Sequence, residues 1–93
     1  MIIGILQLEL RVSDSHSLKE KRMVLKSLKD RLRQRFNISV SEIGLQDKWQ
    51  GALLGIASIG TDKRYVNGLL STVHDWVANH RSVELVSSRM EIL

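Results

Sequence analysis

The 93-residue chain contains no cysteine and no proline, and only four aromatic side chains: two tryptophans, one tyrosine and one phenylalanine. Without cysteine it can form no disulfide, thiolate zinc site, cysteine-ligated iron–sulfur cluster or cysteine nucleophile, and the composition fits a reducing compartment. Apolar runs are short as well, and none approaches the ~18 to 20 residues of a membrane-spanning helix. Neither G-x-x-x-x-G-K-[ST] nor G-x-G-x-x-G occurs, which removes the two best-known glycine-rich phosphate loops. What remains is a globular balance, 43% hydrophobic and 26% charged, in a length that buries roughly two-thirds of its unfolded surface around one core. One domain over residues 1–93 is expected. The apolar start Met1-Ile2-Ile3-Gly4-Ile5-Leu6 lacks a basic leader and runs into alternating polar positions. It is read as structure and not as a signal peptide, and a cytoplasmic protein is expected.

Hydrophobic periodicity places six elements. From Ile2 to Val12 the even positions Ile2, Leu6, Leu8, Leu10 and Val12 are apolar while Gln7, Glu9 and Arg11 alternate against them, the period-2 pattern of a half-buried strand. After the polar break Ser13-Asp14-Ser15-His16, Ser17-Leu18-Lys19-Glu20 has the spacing of a capping box, with the Glu20 carboxylate expected on the Ser17 amide. Leu18, Leu25, Leu28, Leu32 and Phe36 then share an arc of about 80° at 100° per residue, which predicts an amphipathic helix over 18–36. Ile38 to Leu45 reads as a strand whose parity changes near Glu42, and Gln46-Asp47-Lys48 as the connection to the next. Trp49 to Gly60 reads as a strand apolar on both faces: Trp49, Leu53, Ala57 and Ile59 on one, Ala52, Leu54 and Ile56 on the other. Thr61 and Asp62 offer a cap for a second helix to about Asn79, striped by Val66, Leu69, Leu70, Val73, Trp76 and Val77. Ser82 to Leu93 changes parity, which predicts a strand with a bulge near Ser87-Ser88.

The order β-α-β-β-α-β, with right-handed crossovers, interleaves two halves into an α+β ferredoxin-like sandwich: a four-stranded antiparallel sheet with both helices on one face. The other face is then bare and partly apolar. A homodimer covering it through Ile3, Ile5, Trp49, Leu53 and Ala57 is expected, closed two-fold pairs being the commonest soluble oligomers. In the competing reading, the small residues Gly51, Gly55 and Ala57 keep the patch modest.

The net charge of +4 is unevenly distributed. Residues 19–35 hold eight basic side chains against Glu20 and Asp30, a local excess of +6, which leaves −2 for the rest of the chain. On the helical wheel Lys29, Arg22, Arg33, Lys26 and Lys19 fall in succession beside the leucine stripe, a ridge roughly 20 Å long. Met23 and Asp30 are read as lying on the far side of that helix. Lys21, Arg31 and Arg35 are read as flanking the opposite border of the leucines, with their charges in water. A ridge of this kind can follow a phosphate backbone, releasing a counterion for each phosphate neutralised. An anion site is also expected at the helix start, from His16, Ser17, Lys21 and the free amides there. The competing reading of the whole segment is a solvated face that keeps the protein soluble.

Signs of catalysis are few. His74 and His80 are six apart, about 120° around a helix, so they cannot chelate one ion from a shared face, and no metal site or cofactor site is legible. Asp14-Ser15-His16-Ser17 has the residue types of a hydrolase triad, but neighbours in a turn rarely aim at one another, and a turn with a helix cap explains the stretch. Base stacking on the sheet, the device of RNA-recognition domains of this topology, would need strand aromatics, and only Trp49 is placed on one. Any RNA contact would therefore grip backbone or shape, through the ridge.

The run Ser15-His16-Ser17-Leu18-Lys19-Glu20-Lys21-Arg22, with Lys26-Ser27-Leu28, Phe36-Asn37-Ile38-Ser39-Val40-Ser41-Glu42-Ile43-Gly44 and Asp47-Lys48-Trp49-Gln50, resembles the small bacterial YlxP-like family. The likeness covers nearly the whole chain. It implies a single ferredoxin-like domain without an assigned activity, encoded in many genomes beside translation initiation factor two and ribosome-binding factor A. The signature positions Ser17, Lys19, Lys21 and Arg22 carry over without roles. The combined expectation is a non-catalytic protein contacting structured or ribosomal RNA, in ribosome assembly or translation. The alternatives are a dimeric scaffold or ligand-sensing module using the open sheet face and, third, a small hydrolase around His16.

Overall fold

A computed structural model describes residues 1–13 and 15–93. They form β1 (Ile2–Arg11), α1 (Leu18–Arg35), β2 (Ser39–Gly44), β3 (Gly51–Gly60), α2 (Lys63–Ala78) and β4 (Glu84–Ile92). The strands make one antiparallel sheet in the order β2-β3-β1-β4. This is the ferredoxin-like α+β arrangement that the element order requires.

Alternation decides which face is covered. Leu6, Leu8 and Leu10 of β1 and Ala52, Leu54 and Ile56 of β3 are buried under Leu25, Leu28 and Leu32 of α1 and Val66, Leu70, Val73 and Val77 of α2. The odd residues of β1 and β3 point away from the helices and keep part of their surface in water. Gly4 sits under α2: a Cβ there would lie 2.6 Å from Val66 Cγ1 and 2.7 Å from Leu70 Cδ1. At that packing distance a larger side chain fits only if the Val66 and Leu70 side chains shift.

Irregularities in the two edge strands follow their broken parity. β2 slips register against β3 between Glu42 and Gly44: Ile43 is the extra residue, on the open face with Ser39 and Ser41, and Gly44 takes the place opposite Leu53. β4 slips against β1 between its pairings Leu85 with Leu10 and Ser87 with Glu9, so Val86 is the extra residue, one position before the predicted bulge. Trp49 departs from the sequence reading: β3 begins at Gly51, and Trp49 lies 47% exposed in the connection before it. No helix among the described residues is long and apolar enough to cross a membrane.

Candidate functional site

The start of α1 is organised by its own side chains. Ser17 is the N-cap, its Oγ accepting from the Glu20 amide at 3.1 Å. The Glu20 carboxylate does not return to the Ser17 amide: it accepts from the His16 amide, one residue earlier, at 2.7 Å. A carboxylate of the chain itself thus already occupies the positive end of the helix, where an external anion was expected.

Lys21 corrects the anion site further, and corrects its assumed exposure. Its side chain is completely buried, and Nζ lies 3.2 Å from Glu42 Oε2, 2.9 Å from Leu45 O, 3.2 Å from Gln46 O and 3.0 Å from Gly51 O. These acceptors come from β2, the β2–β3 connection and the first residue of β3, so one ammonium ties α1 to the whole turn. Leu45 has φ +60°, a left-handed conformation that costs an ordinary residue about 1 kcal/mol. Its carbonyl is held both by Lys21 and by the Lys48 amide, at 3.0 Å. The wheel does contain the signal: Lys21 falls midway between Leu28 and Leu32, inside the leucine arc and not at its border. His16, Ser17 and Lys21 therefore do not converge on a common ligand.

The five ridge residues are brought together on the outer side of α1. Lys19 and Arg22 are exposed and have no ion pair among the described residues. Lys29 is half-buried. Lys26 Nζ lies 2.9 Å from Asp30 Oδ2, and Arg33 Nη1 lies 3.5 Å from Asp30 Oδ1 while its Nη2 donates to Val40 O at 3.0 Å. Asp30 thus borders the ridge instead of facing away from it, and offsets one of its charges. The hydrogen bond from Lys26, then the positive charges of Lys26, Arg33 and Lys29, hold its carboxyl below the usual value. Pairs this exposed add little to stability but keep two cations in defined places.

Near the far end of α1, Arg31, Gln34 and Arg35 border a hollow against Trp76 of α2. The Trp76 ring meets Phe36 edge-on at 6.3 Å and His80 at 5.1 Å. Burial first, and Arg31 second, lower the pKa of His80 from the ordinary 6.5.

On the open sheet face the structure places Ile5 opposite Ala57 and Ile3 opposite Ile59, with Leu53 opposite Glu9, four residues before Ala57 on β3. Trp49 does not join them on a strand. Between them lies a hollow of about 320 Å³, lined by Ile5, Gln7, Ser41, Ile43 and Ala57 and floored by Gly55. Among the described residues no three His, Asp or Glu side chains group as a metal site. The triad reading includes Asp14, which lies outside the described residues.

Residues 3–90 match a family described as "Protein of unknown function (DUF503)". The chain is also 37% identical over 90 residues, 97% of this chain and 98% of the relative, to a Bacillus subtilis (strain 168) protein titled "Uncharacterized protein YlxP". The likeness runs through β1, both helices and all but the tip of β4. With its α1 signature, its ferredoxin-like order and both matches covering nearly its full length, the chain belongs to the YlxP-like family.

Proposed function

We propose that this protein is a non-catalytic binding module that holds structured RNA against the outer face of α1 and acts in the cytosol. The observation that carries the reading is the charge of that helix: eight of the chain's 14 basic residues lie on it, and only Lys21 is withdrawn into the core. Lys19, Arg22, Lys26, Lys29 and Arg33 form a ridge whose length, roughly 20 Å, spans several phosphates of one strand. Arg31 and Arg35 extend the positive surface toward the groove at Trp76. Neither β1 nor β3 presents an aromatic side chain for base stacking, so recognition is of backbone and shape, with little sequence preference. Ribosomal RNA is the partner that the family's gene neighbourhood implies, and ribosome assembly or translation the process.

The test is RNA binding by a variant carrying Arg22→Glu, Lys26→Glu, Lys29→Glu and Arg33→Glu. Retention of a structured ribosomal RNA fragment is expected to fall by two or more orders of magnitude at moderate salt, with the thermal melt still cooperative. Equal RNA affinity in wild type and variant would overturn the proposal.

A further inference from the structure

We infer that the open face of the sheet is the interface of a two-fold homodimer. On this face Ile43 is 50% and Ile59 57% exposed, and Ile3, Ile5, Leu53 and Ala57 are each left partly in water. Contiguous apolar surface of this kind is uncommon on a monomer and marks a contact site.

Relief and charge on the face both point to a second copy of the chain as the occupant. Gly55 and Ala57 leave the hollow at its centre, Ile43 stands at its side, and Leu53 and Ile59 lie beyond it on β3, one toward each end of the strand. One surface therefore carries both a recess and side chains that can enter a recess, as a contact between identical patches requires. The β4 border is charged: Arg89 lies opposite Gln7 and Glu91 opposite Ile5, on the same face, and neither has an ion-pair partner among the described residues. A two-fold axis crossing the strands between these positions sets Arg89 over Glu91 of the partner subunit, and does so twice. This alternation of sign is self-complementary. It also argues against a lipid surface, which would meet Glu9 and Glu91 along with the isoleucines.

The area suffices. Three strands of nine or ten residues and one of six, at about 3.3 Å per residue and about 4.8 Å apart, give roughly 500 Å² of flat footprint per copy. Accessible area exceeds the flat footprint, so a face-to-face pair buries on the order of 1,200 Å² in total, the lower end of stable interfaces.

Native mass spectrometry and sedimentation at micromolar concentration test this directly, with twice the 10.6 kDa chain mass expected. Ala57→Glu places a carboxylate in the centre of the face and is expected to give a folded monomer. Arg89→Glu, at the exposed border where folding is not at stake, is expected to weaken the dimer about tenfold, and adding Glu91→Arg to restore it. A wild-type monomer at every soluble concentration would overturn the inference, as would a monomer carrying a bound small molecule or peptide on this face. A dimer indifferent to both Ala57→Glu and Arg89→Glu would overturn it too, by placing the contact elsewhere.

Discussion

Helix α1 carries two kinds of lysine, and the difference between Lys21 and Lys26 separates charge that builds the fold from charge that faces outward. Lys21 lies on the leucine arc with four oxygens around its ammonium, and its charge is spent inside the protein. Lys26 lies little more than one turn further along, its side chain 79% exposed, and among the described residues it pairs only with Asp30. The formal +6 of the segment overstates the field it presents to a partner: Lys21 is neutralised by Glu42, and Asp30 offsets part of the ridge.

Substitutions at the two lysines should differ most in their effect on stability. Lys21→Met should cost about 3 to 5 kcal/mol, because Glu42 and three carbonyls lose the ammonium inside the protein and the Leu45 carbonyl keeps only the Lys48 amide. Lys21→Met with Glu42→Leu should recover part of that loss, and chemical denaturation of both variants measures it. Lys26→Met should shift the thermal melt by no more than its scatter, since an exposed pair of this kind contributes little. Equal melts for Lys21→Met and Lys26→Met would show the buried contacts to be without energetic weight.

Asp30→Asn tests the outward half with a smaller effect. It releases Lys26 and Arg33 from their shared carboxylate, so RNA affinity should rise severalfold and become more salt-sensitive, as one more net positive charge faces the phosphates. Weaker RNA binding by Asp30→Asn would mean that the carboxylate positions the two cations instead of competing for them.

The smallest expected effect is at the far end of the helix. Above pH 6.5 the His80 imidazole is neutral in the folded and unfolded chain; as pH falls through that value the unfolded chain takes up a proton that burial and Arg31 resist in the fold. Stability should therefore decline modestly below pH 6.5, and His80→Gln should flatten the decline, as equilibrium unfolding at a series of pH values will show.

The sheet and helices were legible because each rests on a local period. Alternation from Leu6 to Leu10 specifies the covered face of β1, and the parity changes near Glu42 and near Ser87-Ser88 announce the two bulges, the second to within one residue. Lys21 was legible in position but not in kind: the wheel sets it between Leu28 and Leu32, while residue type argues for water. What overrides type is a ring of carbonyls made by the β2–β3 turn, including a leucine at positive φ, and no sequence period encodes that turn. Asp30 escapes a wheel that follows runs of one charge, because its carboxylate reaches cations three and four residues away. Trp49 continues the apolar alternation of β3 in the sequence but precedes the first paired residue, Gly51.

The most direct test of the account is the salt dependence of RNA binding in single neutralised variants of the ridge. For wild type, a plot of log affinity against log salt should fall with a slope of roughly −3 to −4, and Arg22→Gln or Lys29→Gln should each make it shallower by about one. Binding insensitive to salt, or a slope unchanged by both substitutions, would contradict the claim that the outward cations of α1 hold RNA.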